Sequence, residues 1–347
     1  MSKISYLAIF AVLLLASCKK EEPTITETGS PIVTSESCYS VLIDEDITYA
    51  EGLAHNSTST SPFATPLKLD VYYPDNNSTN RPVYMFIHGG GFQGGTKTKP
   101  EIVDMANYFA SRGWVFVSID YRVADDLGVI TGMSSQNILS YYSGIAPQEW
   151  LDYSLLNATT FDDVKTSTAI YTAQRDAKAA LRWIVANSSM YNINTDFITV
   201  GGASAGAITT VALGISNQED FRDEMSISED PTLPTTNLNQ TFQVQSMVYF
   251  WGSNLKLELF EAVYGLNQYD SNDPELFMAH GTNDQNLATP YTEATELQGI
   301  YESLGIYNEL ITLAGQGHGA WNATVNDESL SEMSFDFLVE RQNLNVE

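Results

Sequence analysis

From about residue 67 to residue 341 the chain alternates short apolar runs with longer stretches of helical period. Pro82–Ile87, Trp114–Ile119, Phe197–Val200, Leu276–Ala279 and Asn308–Leu313 are runs of strand length, bounded by polar or glycine-rich segments. Between them, Ile102, Met105, Ala106 and Phe109 recur on one helical face and predict a helix over Pro100–Arg112 that stops at Gly113. Ile170, Ala173, Ala177, Ala180, Leu181 and Ile184 do the same over Thr168–Asn187. A β-rich start (Val41–Tyr49, Leu67–Tyr73) precedes the alternation, and a helix over Glu328–Arg341 closes it. Strands alternating with helices predict an α/β fold, a mostly parallel sheet with helices on both faces.

Two stretches interrupt the rhythm. Val123–Lys165 follows a strand's carboxyl end and holds Tyr141, Tyr142, Trp150 and Tyr153, which predicts a lid-like insertion at the rim of a site. Asn217–Thr241 is polar, rich in Asp, Glu, Pro and Asn, and reads as solvated decoration.

The chemistry lies in the junctions. Gly201-Gly202-Ala203-Ser204-Ala205-Gly206 stands between a strand and the helix-like Ile208–Leu213. A Ser in a Gly-x-Ser-x-Gly turn there is a nucleophile elbow: the small residues permit the sharp bend, and the hydroxyl of Ser204 is pushed out over the sheet. The residue after the nucleophile, Ala205, supplies a backbone N–H to an oxyanion. His88-Gly89-Gly90-Gly91-Phe92 follows another strand, and three glycines there let backbone amides approach a ligand closely.

On these motifs the chain resembles the α/β-hydrolase carboxylesterases of the hormone-sensitive-lipase-like and type-B-like kind. The resemblance runs from about Leu67 to Leu338, through Leu69–Pro74, Ser118–Arg122, Ala177–Trp183, His280–Asp284 and Gly315–Gly319. It implies an α/β-hydrolase fold and an oxyanion hole formed by the N–H groups of Gly90 and Gly91 with that of Ala205.

Residue order then selects partners for Ser204. A serine hydroxyl needs a neutral imidazole to accept its proton, and the imidazole needs a carboxylate to fix its tautomer. In this fold the order is Ser, acid, His. Of the four histidines, His55 and His88 precede Ser204, and His280 ends a strand too close to the acid, so it reads as a positioning or packing residue. His318, in a glycine-rich loop, is the expected base. Asp284, just beyond a strand's carboxyl end, is the expected acid; Asp270, Asp273 and Glu275 precede that strand and fall at the wrong end of a parallel sheet.

The N-terminus bears on location. Lys3, the apolar run Tyr6–Leu15 and Ala16-Ser17-Cys18 have signal-peptide anatomy, and Leu15–Cys18 resembles a bacterial lipobox. This predicts a signal peptide over residues 1–17, lipidation of Cys18, a flexible tether over residues 18–38, and one hydrolase domain over residues 39–347. The expected location is that of an exported bacterial lipoprotein on the outer membrane or cell surface. Cys38, the second of two cysteines, is expected as a single thiol. A net charge of −27 disfavours nucleic acid and anionic membrane surfaces, so membrane contact is expected through the anchor only. No histidine or cysteine pair has metal-ligand spacing, and neither metal nor cofactor is expected.

These readings converge on a serine carboxylic ester hydrolase that works through an acyl-enzyme on a small-molecule ester. Aromatic side chains interleaved with polar ones in the insertion point to short-acyl, carbohydrate or aromatic esters. A peptidase or polyester depolymerase on the same triad, and a non-catalytic binding protein that keeps the fold, are the alternatives.

Overall fold

In the computed structural model the described residues are 29–254, 258–264 and 269–347. The centre is an eight-stranded sheet: β1 (Val41–Ala54), β2 (Phe63–Pro74), β3 (Arg81–Ile87), β4 (Val115–Ile119), β5 (Ile193–Ala203), β6 (Ser246–Phe250), β7 (Glu275–Gly281) and β8 (Asn308–Leu313). The spatial order is β1-β2-β4-β3-β5-β6-β7-β8. β1–β2 and β2–β4 pair antiparallel and all later pairs are parallel. This is the α/β-hydrolase fold.

β3, β4 and β6 are buried at every position, as expected of strands covered on both faces. One face packs on helices α1 (Pro100–Ala110) and α6 (Leu330–Arg341), with Tyr84, Phe86, Phe109, Trp114 and Phe116 among the residues between them. The other packs on α4 (Phe161–Ala186) and α5 (Ala205–Ile215). α4 begins within the predicted insertion, seven residues before Thr168, because Thr160 and Asp163 form a reciprocal capping box there.

The insertion is not a lid of substrate-facing aromatics. It folds into α2 (Ser135–Tyr141), α3 (Gln148–Asn157) and the first turns of α4; the rings of Tyr141, Tyr142 and Trp150 point inward, whereas Tyr153 is half-buried and Phe161 exposed. Tyr142 and Trp150 are fully buried and Tyr141 nearly so. Trp150 donates Nε1–H to the Ser167 carbonyl at 2.9 Å and packs against Tyr171 and Phe260. Tyr141 stacks on His55, whose ring centroid is 3.6 Å away, and so joins the insertion to the end of β1. The alternation of rings with polar residues that suggested a binding rim is the pattern of short amphipathic helices lying on a core.

The 217–241 stretch is fastened rather than merely solvated. Arg175 of α4 pairs with the buried Asp230, Lys178 donates to the carbonyls of Asn217 and Asp220, and Arg182 donates to the Thr236 carbonyl at 2.7 Å. The tether also ends earlier than expected. Ile32–Val33 form a parallel pair with Asn345–Val346, and Val33 is buried, because the pairing satisfies backbone groups at both ends of the domain. Cys38 is disulfide-bonded rather than a single thiol. Residues 1–28, including Cys18 and the signal-like segment, lie outside the described residues. Among the described residues no helix is long and apolar enough to cross a membrane.

Because the Trp150 ring is enclosed and hydrogen-bonded, Trp150→Ala is expected to destabilise the fold by about 3–5 kcal/mol. Urea unfolding measures this; an unchanged midpoint with an altered KM would restore the rim reading.

Candidate active site

Three loops at the carboxyl ends of β3, β7 and β8, with the elbow after β5, build the site. Ser204 sits between β5 and α5 at φ 55°, ψ −121°, a strained conformation for a residue with a side chain. Its N–H donates to the Phe250 carbonyl at 2.9 Å, which ties the elbow to β6. Gly206, just inside α5, lies so close to the backbone of Ile87 and His88 that any Cβ would strike their carbonyls. The loop after β3 is therefore pressed against the elbow, and a Cβ on Gly89 would lie 3.1 Å from that of Ser204.

His318, after β8, places Nε2 3.0 Å from Ser204 Oγ. Its Nδ1 is 2.8 Å from Asp284 Oδ2. A carboxylate accepts, so Nδ1 carries the proton and Nε2 is left to accept from the serine hydroxyl. The loops bearing Asp284 and His318 are bound to each other: Asn283 N–H donates to the Gln316 carbonyl at 2.9 Å, and Gly315 N–H to Thr282 Oγ1 at 2.8 Å. The Asp284 side chain is wholly buried, whereas the His318 side chain is 31 % exposed. The structure thus brings Ser204, His318 and Asp284 into one hydrogen-bonded line.

Gly90 and Gly91 take φ 143° and 63°, and neighbouring Phe92 takes 60°. Among the described residues the N–H groups of Gly90, Gly91 and Ala205 donate to no protein acceptor. Open backbone amides on the loop beside the elbow and on the residue after Ser204 are donors of the kind that can hold developing negative charge.

Two groups were not singled out as partners by sequence reasoning. His280 Nε2 lies 3.1 Å from Asp284 Oδ2 and 3.0 Å from the Thr289 carbonyl. Both are acceptors, so His280 donates from Nε2; burial lowers its pKa and keeps the ring neutral. Thr289 also reaches His318, with Oγ1 3.2 Å from Nδ1. A threonine in a polar loop carries no sequence signal for this, while the four-residue spacing of His280 and Asp284 was legible only as proximity.

His88 is enclosed behind the glycine loop. It stacks on Tyr121, and its carbonyl accepts from the Tyr121 hydroxyl at 2.9 Å. Burial, more than any charge nearby, lowers its pKa to about 4.

A family model described as BD-FAE matches residues 69–132 and 160–299, more than half of the chain. The chain belongs to the BD-FAE family. This is an α/β-hydrolase esterase family, and the match spans the glycine loop, the elbow and Asp284 while omitting most of the insertion. Among curated relatives, the para-nitrobenzyl esterase of Bacillus subtilis is 28% identical over 147 residues, 42% of this chain and 24% of that protein. The phenmedipham hydrolase of Pseudarthrobacter oxydans is 29% identical over 148 residues, 42% of this chain and 22% of that protein. The chain spans about a quarter of the length of these relatives. A solved carbohydrate esterase from gut microbiota, in truncated form, aligns with TM-score 0.56 at 17% identity, over 91% of this chain and 100% of that one. Esterase 2 of Thermogutta terrifontis, phosphorylated by paraoxon, aligns with TM-score 0.56 at 20% identity, over 86% and 94%. These two likenesses are of fold.

The buried His88 of this BD-FAE member has a stability consequence. Its folded pKa of about 4 lies below the unfolded value of about 6.5, so between those pH values only the unfolded chain binds the proton. The stabilisation is complete above pH 6.5 and is lost as pH falls to 4, by up to roughly 3 kcal/mol. Urea midpoints measured across that window are expected to fall in the parent and to flatten in His88→Gln; equal slopes would remove His88 as the cause.

Proposed function

We propose that this protein is a serine carboxylic ester hydrolase in which Ser204 is the nucleophile, His318 the base and Asp284 the acid that orients it. The observation that carries the proposal is the unbroken contact from Ser204 Oγ to His318 Nε2 and from Nδ1 to Asp284 Oδ2. Ser204 Oγ attacks the ester carbonyl as His318 takes its proton, and the N–H groups of Gly90, Gly91 and Ala205 hold the oxyanion. Collapse expels the alcohol, which leaves with the proton from His318. Water then enters, gives a proton to His318 and attacks the acyl-enzyme, and the acid product departs as the proton returns to Ser204. Membership of an esterase family supports the same reading.

The substrate class is proposed as short-acyl esters of small or carbohydrate alcohols. The partly exposed His318 supports an open site that accommodates a bulky alcohol. The names of the similar proteins, a para-nitrobenzyl esterase and a carbohydrate esterase among them, choose the panel. Ser204→Ala and His318→Ala are each expected to lower kcat on p-nitrophenyl acetate by about 10³-fold or more while the circular dichroism spectrum is retained. Wild-type turnover in Ser204→Ala would sink the assignment. Acetate and butyrate esters are expected to exceed the dodecanoate in kcat/KM by at least about tenfold; the reverse order would reject the substrate class.

Export and lipid attachment at Cys18 are proposed on the signal-like segment. With two cysteines in the chain, an internal disulfide at Cys38 and a thioether at Cys18 exclude one another, so the anchor is proposed for a mature exported form in which that disulfide is absent. Mass spectrometry of the mature N-terminal peptide decides. A diacylated Cys18 and membrane fractionation that is lost in Cys18→Ser are expected; an unmodified sulfur there, or an N-terminus elsewhere, overturns the anchor.

A further inference from the structure

The loop that presents Gly90 and Gly91 is returned to the core by a buried lysine that no part of the chemistry above uses. Lys97 is only 4% exposed, and every polar group it has is engaged. Its N–H donates to Asp120 Oδ1 at 2.7 Å, and its carbonyl accepts from the Ser118 hydroxyl at 2.8 Å. Its ammonium donates to Asp70 Oδ1 at 2.8 Å and to Asp46 Oδ1 at 2.9 Å. Asp70 is completely buried on β2, and the same Oδ1 accepts the Asp46 N–H at 2.7 Å. One side chain thus gathers β2, β4 and the β1 edge beneath one loop.

The limb that Lys97 anchors lies against the limb that carries the amides. A Cβ on Gly90 would strike the Gly94 carbonyl, and one on Gly95 would strike the His88 ring and crowd the Gly89 carbonyl. Other fastenings of the loop are Gln93 N–H to the Gly90 carbonyl, Gln93 Nε2 to Thr166 Oγ1 at 2.6 Å, Ala124 N–H to the Phe92 carbonyl, Asp125 N–H to that of Gln93 and the Tyr121 hydroxyl to that of His88; none of these holds the limb around residue 97. With the two limbs in backbone contact, a shift at residue 97 is passed to residues 90 and 91. Oxyanion donors act only when held within about 0.5 Å of their working position. Burial by itself depresses a lysine ammonium; the bonds to Asp70 and Asp46 more than reverse this and hold Lys97 above its ordinary pKa, so the anchor stays charged.

We infer that Lys97, through its buried pair with Asp70, is a positioning residue that sets the oxyanion-binding amides of Gly90 and Gly91 for the reaction proposed above. Its effect falls on the transition state, since the lysine touches neither the nucleophile nor the substrate.

The inference rests on the esterase reading, and the test separates the two. The double variant Asp70→Asn/Lys97→Met removes both charges together, a change buried pairs often tolerate. With p-nitrophenyl butyrate, kcat is expected to drop about 10- to 100-fold with KM within twofold. The Ki for phenylboronic acid, which forms a tetrahedral adduct on the serine, is expected to rise by a similar factor. The Ki for a non-hydrolysed amide analogue of the ester is expected to stay within twofold. Unchanged kcat and boronate Ki would overturn the role, and so would equal weakening of both inhibitors, which signals general loosening. Should the double variant not fold, Lys97→Gln keeps a hydrogen bond to Asp70 and is measured in the same way, the same outcomes supporting or overturning the role, with Lys97→Arg expected to restore most of kcat. Wild-type turnover and its loss in Ser204→Ala are read in the same assay. A failure there strikes the esterase reading; a failure confined to the variants strikes only Lys97.

Discussion

The site depends on a backbone-to-backbone contact between the elbow and the loop after β3. Gly206 lies against the carbonyls of Ile87 and His88, and Gly89 against the Ala203 carbonyl and Ser204 Cβ. No side chain stands between the segment bearing the hydroxyl and the segment bearing two of the open amides. Their separation is set by atomic radii, which do not relax as rotamers do. The strained dihedrals of Ser204 persist because both sides of the turn are occupied, by the loop on one and by the Phe250 carbonyl on the other.

A second layer holds that contact in register. Arg122, one residue beyond the Tyr121 that braces His88, forms a two-pronged pair with Asp176 of α4, at 2.7 and 2.9 Å. It also donates to the Leu53 carbonyl at 2.8 Å. Arg175 pairs with Asp230 immediately beside it. Removing one member of such a fully buried set leaves an uncompensated charge, a cost of several kcal/mol, so the set behaves as one unit. Charge inside this acidic protein is thus used where geometry must not drift.

The sequence disclosed what repeats and what is rare. Strands of four to six apolar residues and the Ile170–Ile184 stripe were readable because burial on one or both faces imposes a period. Ser204, Asp284 and His318 were readable because few residues of those types stand in the required order, and the structure places them within hydrogen-bond reach. Tyr142 and Trp150 were misjudged because a ring on a short amphipathic helix looks alike from sequence whether it faces core or cleft. Lys97 and Asp70, and Arg122 and Asp176, gave no warning, since nothing local to a charged residue says that a partner on another element will bury it. His280 showed its neighbour but not its direction: only the paired acceptors Asp284 and Thr289 fix which ring nitrogen donates.

The pairing of Ile32–Val33 with Asn345–Val346 has a mechanical consequence. The first of these residues packs beside Gly113, just ahead of the first residue of β4, whereas Ser204 follows the last residue of the parallel β5. The Ile32–Val33 and Asn345–Val346 segments therefore lie at the pole of the sheet opposite the serine. Tension that reaches Ile32 or Val346 is met by that two-residue zip and by the hydrogen bonds of Thr34 and Cys38 to the Arg112 and Ser111 carbonyls just after α1. A load on these paired segments can peel this margin while the elbow, on the far side of the sheet, keeps its shape.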